Sequence, residues 1–217
     1  MILKVSDVLL LGVEVSFSKG KEMQVLEIDN ICAQLNKGSP VLIPTDTLPA
    51  LSALPRFASK IWDLKKRSLE KPLILMGASS SDLLHYVEPK ALKDAWEMAD
   101  LYWPGALTMV LPASSEMVAF LNPGSSTLGM RVPASEQAKS LLKKSGPLAT
   151  TSANISGLEP SLNEKEAAII FPQLPLLSPI PWSEHSGLAS SVISWESSGN
   201  WRILRKGAII PKQFVSK

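Results

Sequence analysis

Four short clusters hold the residue types that could do chemistry. They are Thr45-Asp46-Thr47 in "VLIPTDTLPAL"; Lys65, Lys66, Arg67 and Lys71 in "LKKRSLEKPL"; Ser126, Thr127 and Arg131 in "SSTLGMRVP"; and residues 149–157, "ATTSANISG". Basic side chains neutralise phosphate oxygens, while serine, threonine and asparagine supply neutral donors and acceptors for a base, a ribose or an amino acid. Together the clusters describe a nucleotide site. It is not one of the common glycine-rich kinds, because neither G-x-x-x-x-G-K-[ST] nor G-x-G-x-x-G occurs. Taken singly, each cluster has a plainer reading. Lys65 to Arg67 fit the solvated end of a helix, "TTSANISG" a strand entering a turn, Thr-Asp-Thr a helix cap, and Arg131 a surface ion pair.

The clusters need strand ends to hold them, since short loops on a rigid scaffold can aim side chains at a ligand. "VLIPT", bounded by Pro40 and Pro44, reads as a short buried strand, followed by "PLILM", "LTMVL", "TLGMRV" and "PLATTSA". "LASSVISW" and "WRILRKG" read as neighbouring strands joined by "ESSGN". Helical spacing marks "VLEIDNICAQLN", with Cys32 in the core, and then "ASKIWDLKKR". "PKALKDAWEMADLYW" carries a stripe of Leu92, Ala95, Trp96, Ala99 and Trp103, and "SEQAKSLLKK" ends at Gly146. In "FPQLPLLSPIPWSEHSG" the prolines from Pro172 to Pro181 predict a surface loop without helix or central strand. The mixed order of elements predicts one α/β layered domain, residues 1–217, with a mixed sheet.

Composition narrows the function classes. With 45% hydrophobic and 19% charged residues, the chain is globular with a sizeable core. A net charge of +2 makes no global case for a nucleic-acid or membrane-surface partner. The lone cysteine excludes an intrachain disulfide framework, and with only His85 and His185 beside it no metal site is expected. A reducing cytoplasm fits this usage. "MILKVSDVLLLGVEVSF" is interrupted by Asp7 and Glu14 and lacks a small-residue cleavage site, so it reads as mature protein. No apolar run approaches the ~20 residues that cross a bilayer, and a soluble, cytoplasmic protein with no membrane partner is expected.

Six anchors in order, "PTDTLPAL", "KKRSLEKPLIL", "WPGALTMVL", "STLGMRVP", "TTSANISG" and "SSVISW" with "ILRKG", resemble the YrdC-type threonylcarbamoyl-AMP synthases over roughly residues 25–210. The resemblance implies a twisted α/β sheet with a concave ligand-binding face, in a short single-domain form. It implies synthesis of L-threonylcarbamoyl-adenylate and pyrophosphate from threonine, bicarbonate and ATP with Mg²⁺, the first step of threonylcarbamoyladenosine formation in tRNA. No tightly bound prosthetic group is implied. The family's Lys-x-Arg and Ser-x-Asn elements fall on Lys65, Arg67, Ser152 and Asn154, which makes these the implied catalytic residues. ATP contacts are implied for the same four and for Lys71, Thr127, Ser161 and Arg205. Threonine contacts are implied for Thr45, Arg131, Thr150 and Ser190. Implied partners beyond the substrates are tRNA or tRNA-modification proteins. The alternative is a paralogue of the same fold that binds RNA without efficient synthesis. The chain departs from the family pattern at Leu48-Pro49-Ala50, where Val-Tyr-Gly is common, and at Met76, where some relatives carry histidine.

Overall fold

The short apolar runs become strands of one ten-stranded mixed sheet in a computed structural model that describes residues 23–215. The N-terminal stretch read as mature protein lies outside the described residues. In chain order the strands are β1 (Val25–Leu26), β2 (Val41–Ile43), β3 (Ala50–Ala53), β4 (Ile74–Met76), β5 (Leu107–Pro112), β6 (Thr127–Arg131), β7 (Leu148–Ser152), β8 (Leu176–Leu177), β9 (Ser191–Ser197) and β10 (Asn200–Arg205). Across the sheet the order is β1-β8-β2-β3-β7-β4-β6-β5-β9-β10. Parallel pairs (β4 with β6, β5 with β9) stand beside antiparallel ones (β3 with β7, β7 with β4, β5 with β6). The helices are α1 (Ile28–Asn36), α2 (Ser59–Lys65), α3 (Ser80–Leu84), α4 (Pro89–Tyr102), α5 (Ser115–Leu121), α6 (Glu136–Ser145) and α7 (Glu164–Ile170). No described helix is long and apolar enough to cross a membrane.

Strand alternation gives the two sheet faces different fates. Leu51, Leu75, Met109, Leu128 and Met130 point into the larger core with Ala91, Ala95 and Ala99 of α4 and Ile61 of α2. On the other face, α1 and α6 bring Ile31, Leu35, Leu141 and Leu142 against a smaller set of strand residues, Val41, Ile43, Ala50, Met76, Leu148 and Leu177. The middle of that face has no described helix over it, and the site lies there.

Three expectations need correction. The proline-rich segment contains β8, whose Leu176 and Leu177 are fully buried between β1 and β2. Its prolines flank the strand instead of interrupting it: Leu176 and Ser178 donate their N–H groups to Gln24 and Leu26, and the Pro175 carbonyl accepts from Leu42. A proline carbonyl accepts as well as any other. Secondly, "VLEIDNICAQLN" divides into β1 and α1, and α1 buries Ile31 and Leu35 and leaves Cys32 half-buried. Thirdly, Trp96 is 38% exposed, because α4 turns Ala91, Ala95, Met98 and Ala99 inward.

Candidate functional site

Cross-strand partners share a face, so the register places the cavity's floor. Met76 stands opposite Arg131, Ile74 opposite both Gly129 and Thr150, and Val110 opposite Gly129. Thr108 and Val192 continue the row onto β5 and β9. Over these residues lies a cavity of about 600 Å³, a size typical of small-molecule sites. Gly129 keeps its floor low; a Cβ there would meet Ile74 Cγ2 at 2.9 Å.

Eight of the residues picked out above meet on the cavity wall: Thr45, Thr150 and Ser152, the basic Arg67 and Lys71, and Arg131, Ser190 and Arg205. Of the remaining four, Lys65, Asn154 and Ser161 stand behind that wall, and Thr127, at the start of β6, is not among the lining residues. Among the described residues, Arg67, Lys71, Arg131 and Arg205 face a single lining carboxylate, Glu70. Burial pushes the arginines below their ordinary pKa; at Arg131 the charge and hydrogen bond of Asp46 oppose this, and the charge of Arg205 adds a smaller lowering. Cations gathered around one cavity create a positive potential that attracts anions.

Lys65 lies one helical turn beyond Ile61, so α2 turns both inward and leaves the lysine 1% exposed. Its Nζ donates to Asn154 O at 2.6 Å, Asn154 Oδ1 at 2.9 Å and the Ser152 carbonyl. Its own carbonyl accepts from Ser156 N at 3.1 Å. Burial, with the nearby Arg67 charge acting in the same direction, lowers its pKa to about 7. The lysine thus ties α2 to the "SANIS" loop. The same loop is pinned by Ser152 Oγ donating to Asn154 Oδ1 at 2.7 Å and by the buried Ser161, whose Oγ donates to Ala153 O at 2.7 Å. Beyond α2, Lys66 takes a left-handed conformation (φ 49) that turns the chain, and Arg67 then donates to Lys71 O and Pro72 O.

Arg131 closes the opposite end. It donates from Nε to Gly105 O at 2.9 Å, from Nη1 to Thr47 Oγ1 at 2.8 Å and from Nη2 to Asp46 Oδ1 at 2.7 Å. Asp46 Oδ1 also accepts from Ala134 N at 2.9 Å. Thr45 spends its hydroxyl on the turn itself, donating to Leu48 O and accepting from Thr47 N and Leu48 N. Arg131 is therefore a buried partner of Asp46, and not a surface ion pair.

On the far wall Arg205 donates from Nε and Nη2 to the Ser190 carbonyl at 3.0 and 2.9 Å, and Ser190 Oγ pairs with Thr108 Oγ1 at 2.9 Å. Gly207 makes this crossing feasible: a Cβ there would lie 2.2 Å from Ala189 O and 2.6 Å from Ser190 C. Both are backbone atoms with little freedom to move. Gly207→Ala is expected to cost about 2 kcal/mol in stability, read as a lowered urea midpoint at unchanged slope.

The chain matches the family model for Sua5, YciO and YrdC proteins, described as "Telomere recombination", over residues 33–207. It belongs to the Sua5/YciO/YrdC family. Threonylcarbamoyl-AMP synthase of Rattus norvegicus is 33% identical over 187 residues, which is 82% of this chain and 66% of the rat protein. The protein of the same name from Stenotrophomonas maltophilia is 33% identical over 173 residues, covering 77% of this chain and 91% of that one. Among solved structures, P. abyssi Sua5 complexed with L-threonine aligns at a TM-score of 0.77 and 28% identity, over 86% of this chain and 57% of that one. The chain thus spans less than two thirds of the rat and P. abyssi proteins, and both extend beyond what it matches. The resemblance carried by the six anchors and the mixed α/β fold it implied hold.

In this Sua5/YciO/YrdC chain the departures from the family pattern divide by location. Leu48, Ala50 and Met76 line the main cavity, giving its Arg131 end an apolar wall. Pro49 faces a separate chamber of about 70 Å³, which shares Thr45 with the main cavity. Thr108, Gly129, Asn122 and Glu70 are lining residues absent from the sequence reading. Thr108 had a readable signal, as a polar residue at an alternating position within "LTMVL".

Proposed function

We propose that this chain joins threonine, bicarbonate and ATP to give L-threonylcarbamoyl-adenylate and pyrophosphate, the product going on to a tRNA-modifying partner. One observation carries the reading: four cationic side chains converge on a single cavity that also collects strand-end hydroxyls, in a chain of the family whose curated relatives bear the synthase name. A polyanion and a carboxylate together match that wall.

In the reaction the threonine amine adds to the carbon of bicarbonate, water leaves, and a carbamate forms. A carbamate oxygen then attacks the α-phosphorus in line. The bond from that phosphorus to its bridging oxygen breaks, and pyrophosphate departs with the electron pair. No side-chain nucleophile is needed, so the protein's work is placement and charge compensation. Arg67 and Lys71, at the Lys71–Leu73 end, take the phosphates. Arg131, with three of its five N–H donors engaged by Gly105, Thr47 and Asp46, keeps the others for the threonine carboxylate. Thr150 and Ser190 border the same substrate. Lys65, Asn154 and Ser161 act from behind the wall by holding Ser152 in place.

Mg²⁺ enters as the counter-ion of the triphosphate. No group of three or more His, Cys, Asp or Glu gathers among the described residues. Phosphate oxygens and water, with Glu70 as the available wall carboxylate, fit an ion that keeps much of its hydration.

With MgATP, bicarbonate and labelled threonine, the purified protein is expected to release pyrophosphate in a threonine-dependent way, and Arg67→Ala to slow release at least about tenfold. Release without threonine dependence, or an unchanged rate in Arg67→Ala, overturns the reading. Salt-sensitive tRNA binding without such turnover supports the RNA-binding paralogue instead.

A further inference from the structure

We propose that Asn122 selects the base, its side-chain amide reading the 6-amino edge of adenine and excluding guanine. The proposal rests on the nucleotide reading of the cavity.

Asn122 caps the C-terminal end of α5 and lies on the cavity wall. Its backbone is held on both sides, its N–H donating to Val118 O at 2.8 Å and its carbonyl accepting from Ser125 N at 3.1 Å. Its Nδ2 donates to the Thr127 carbonyl at 2.9 Å. Because a carbonyl can only accept, this bond settles which end of the amide is nitrogen. Oδ1 takes no hydrogen bond from any described residue, and one Nδ2 hydrogen remains. A fixed acceptor beside a fixed donor is therefore available at the wall.

The position suits a base. Leu73 N donates to Leu121 O at 2.9 Å, which brings Asn122 beside the segment carrying Arg67 and Lys71, the proposed phosphate ligands. Leu73 and Val110 add apolar wall, and Leu204 lines the cavity while remaining 49% exposed. A purine face would cover such an aliphatic surface.

Adenine offers an amino donor next to a ring-nitrogen acceptor, the pattern an asparagine amide matches with two bonds. Guanine places a carbonyl where adenine has the amino group. Its oxygen would then face Oδ1, acceptor against acceptor, and a site with a built polar partner rejects such a mismatch strongly.

The test compares equilibrium binding of MgATP, MgGTP and the magnesium salt of purine riboside triphosphate, which lacks the 6-amino group, in the parent protein and in Asn122→Leu. The parent is expected to favour ATP over each of the others by about ten- to a hundredfold. In Asn122→Leu the ATP advantage over purine riboside triphosphate is expected to vanish. A residue that only shapes the wall would weaken all three nucleotides alike and leave the ratios intact, which overturns the proposal. So does a parent protein that binds ATP and purine riboside triphosphate equally well, an outcome needing no variant. Since the readout is binding, lack of threonine-dependent turnover would count against the proposed reaction and leave the base assignment standing.

Discussion

Lys65→Met is expected to lower stability by about 3 kcal/mol and to abolish threonine-dependent pyrophosphate release. Methionine roughly preserves the length and volume of the side chain, so the change removes hydrogen bonds with little cavity formation. Asn154 O, Asn154 Oδ1 and the Ser152 carbonyl all lose their shared donor. Asn154 Oδ1 keeps the Ser152 hydroxyl and the Ser152 carbonyl keeps Asn154 N, so each loses one charge-assisted bond, while Asn154 O is left unsatisfied at about 1–3 kcal/mol; relief of the buried charge returns part of the loss. The site suffers because Ser152, a wall residue, is aimed through Asn154. A pH series separates this account from generic damage. The folded-state pKa is about 7 against an ordinary 10.5, so between those values the unfolded chain holds more protons than the native one. Stability then rises with pH through that window. The stability gap between parent and Lys65→Met should widen from pH 7 to about pH 9, measured from urea midpoints at equal slopes. A gap that stays constant would show that Lys65 does not titrate in this way.

Lys65 also illustrates what a linear reading can hold. Its type and its place beside Arg67 are visible in "LKKRSLEKPL", yet the rotation of α2 that buries it depends on which helix face meets the sheet. Only its spacing from Ile61 hints at that. Most strands were legible for a simple reason: interior strands of mixed sheets read as short continuous apolar runs, as "VLIPT", "PLILM" and "LTMVL" do. β3 escapes because "ALSA" is built of small residues next to Pro49, and β8 because two leucines sit among prolines. α3, α5 and α7 have 5, 7 and 7 residues, which gives a 3.6-residue period little room; α2, also 7 residues, is legible through its run of apolar and basic positions in "ASKIWDLKKR". About a third of the cavity wall could be read from residue type at strand ends and in the loops beside them. Gly129, Thr108 and Asn122 join it only through register and long-range pairing, which the order of residues does not display.

The Asp46–Arg131 pair should respond as strongly as Lys65, for a different electrostatic reason. Arg131 is 3% exposed, and the Asp46 carboxylate at 2.7 Å is the counter-charge it touches. Truncating one partner of such a pair strands the other, at a cost of about 3–5 kcal/mol. Asp46→Ala is expected to fall in that range, and also frees the Ala134 N–H that Oδ1 now accepts. Asp46→Asn, which keeps an oxygen for Ala134 and removes the charge, should cost distinctly less. Arg131→Lys preserves the charge but cannot span Gly105, Thr47 and Asp46 as the planar guanidinium does. In a double-mutant cycle of Asp46→Ala with Arg131→Leu the second change should cost little once the first is made, a coupling of about 2–3 kcal/mol. Function should follow the same geography. The pair fixes the Thr45–Leu48 turn at the end assigned to threonine, whereas Arg67 and Lys71 hold the phosphates at the other. Asp46→Asn should therefore raise the KM for threonine several times more than the KM for ATP. Equal increases in both would mean that the two ends of the cavity are not separate subsites.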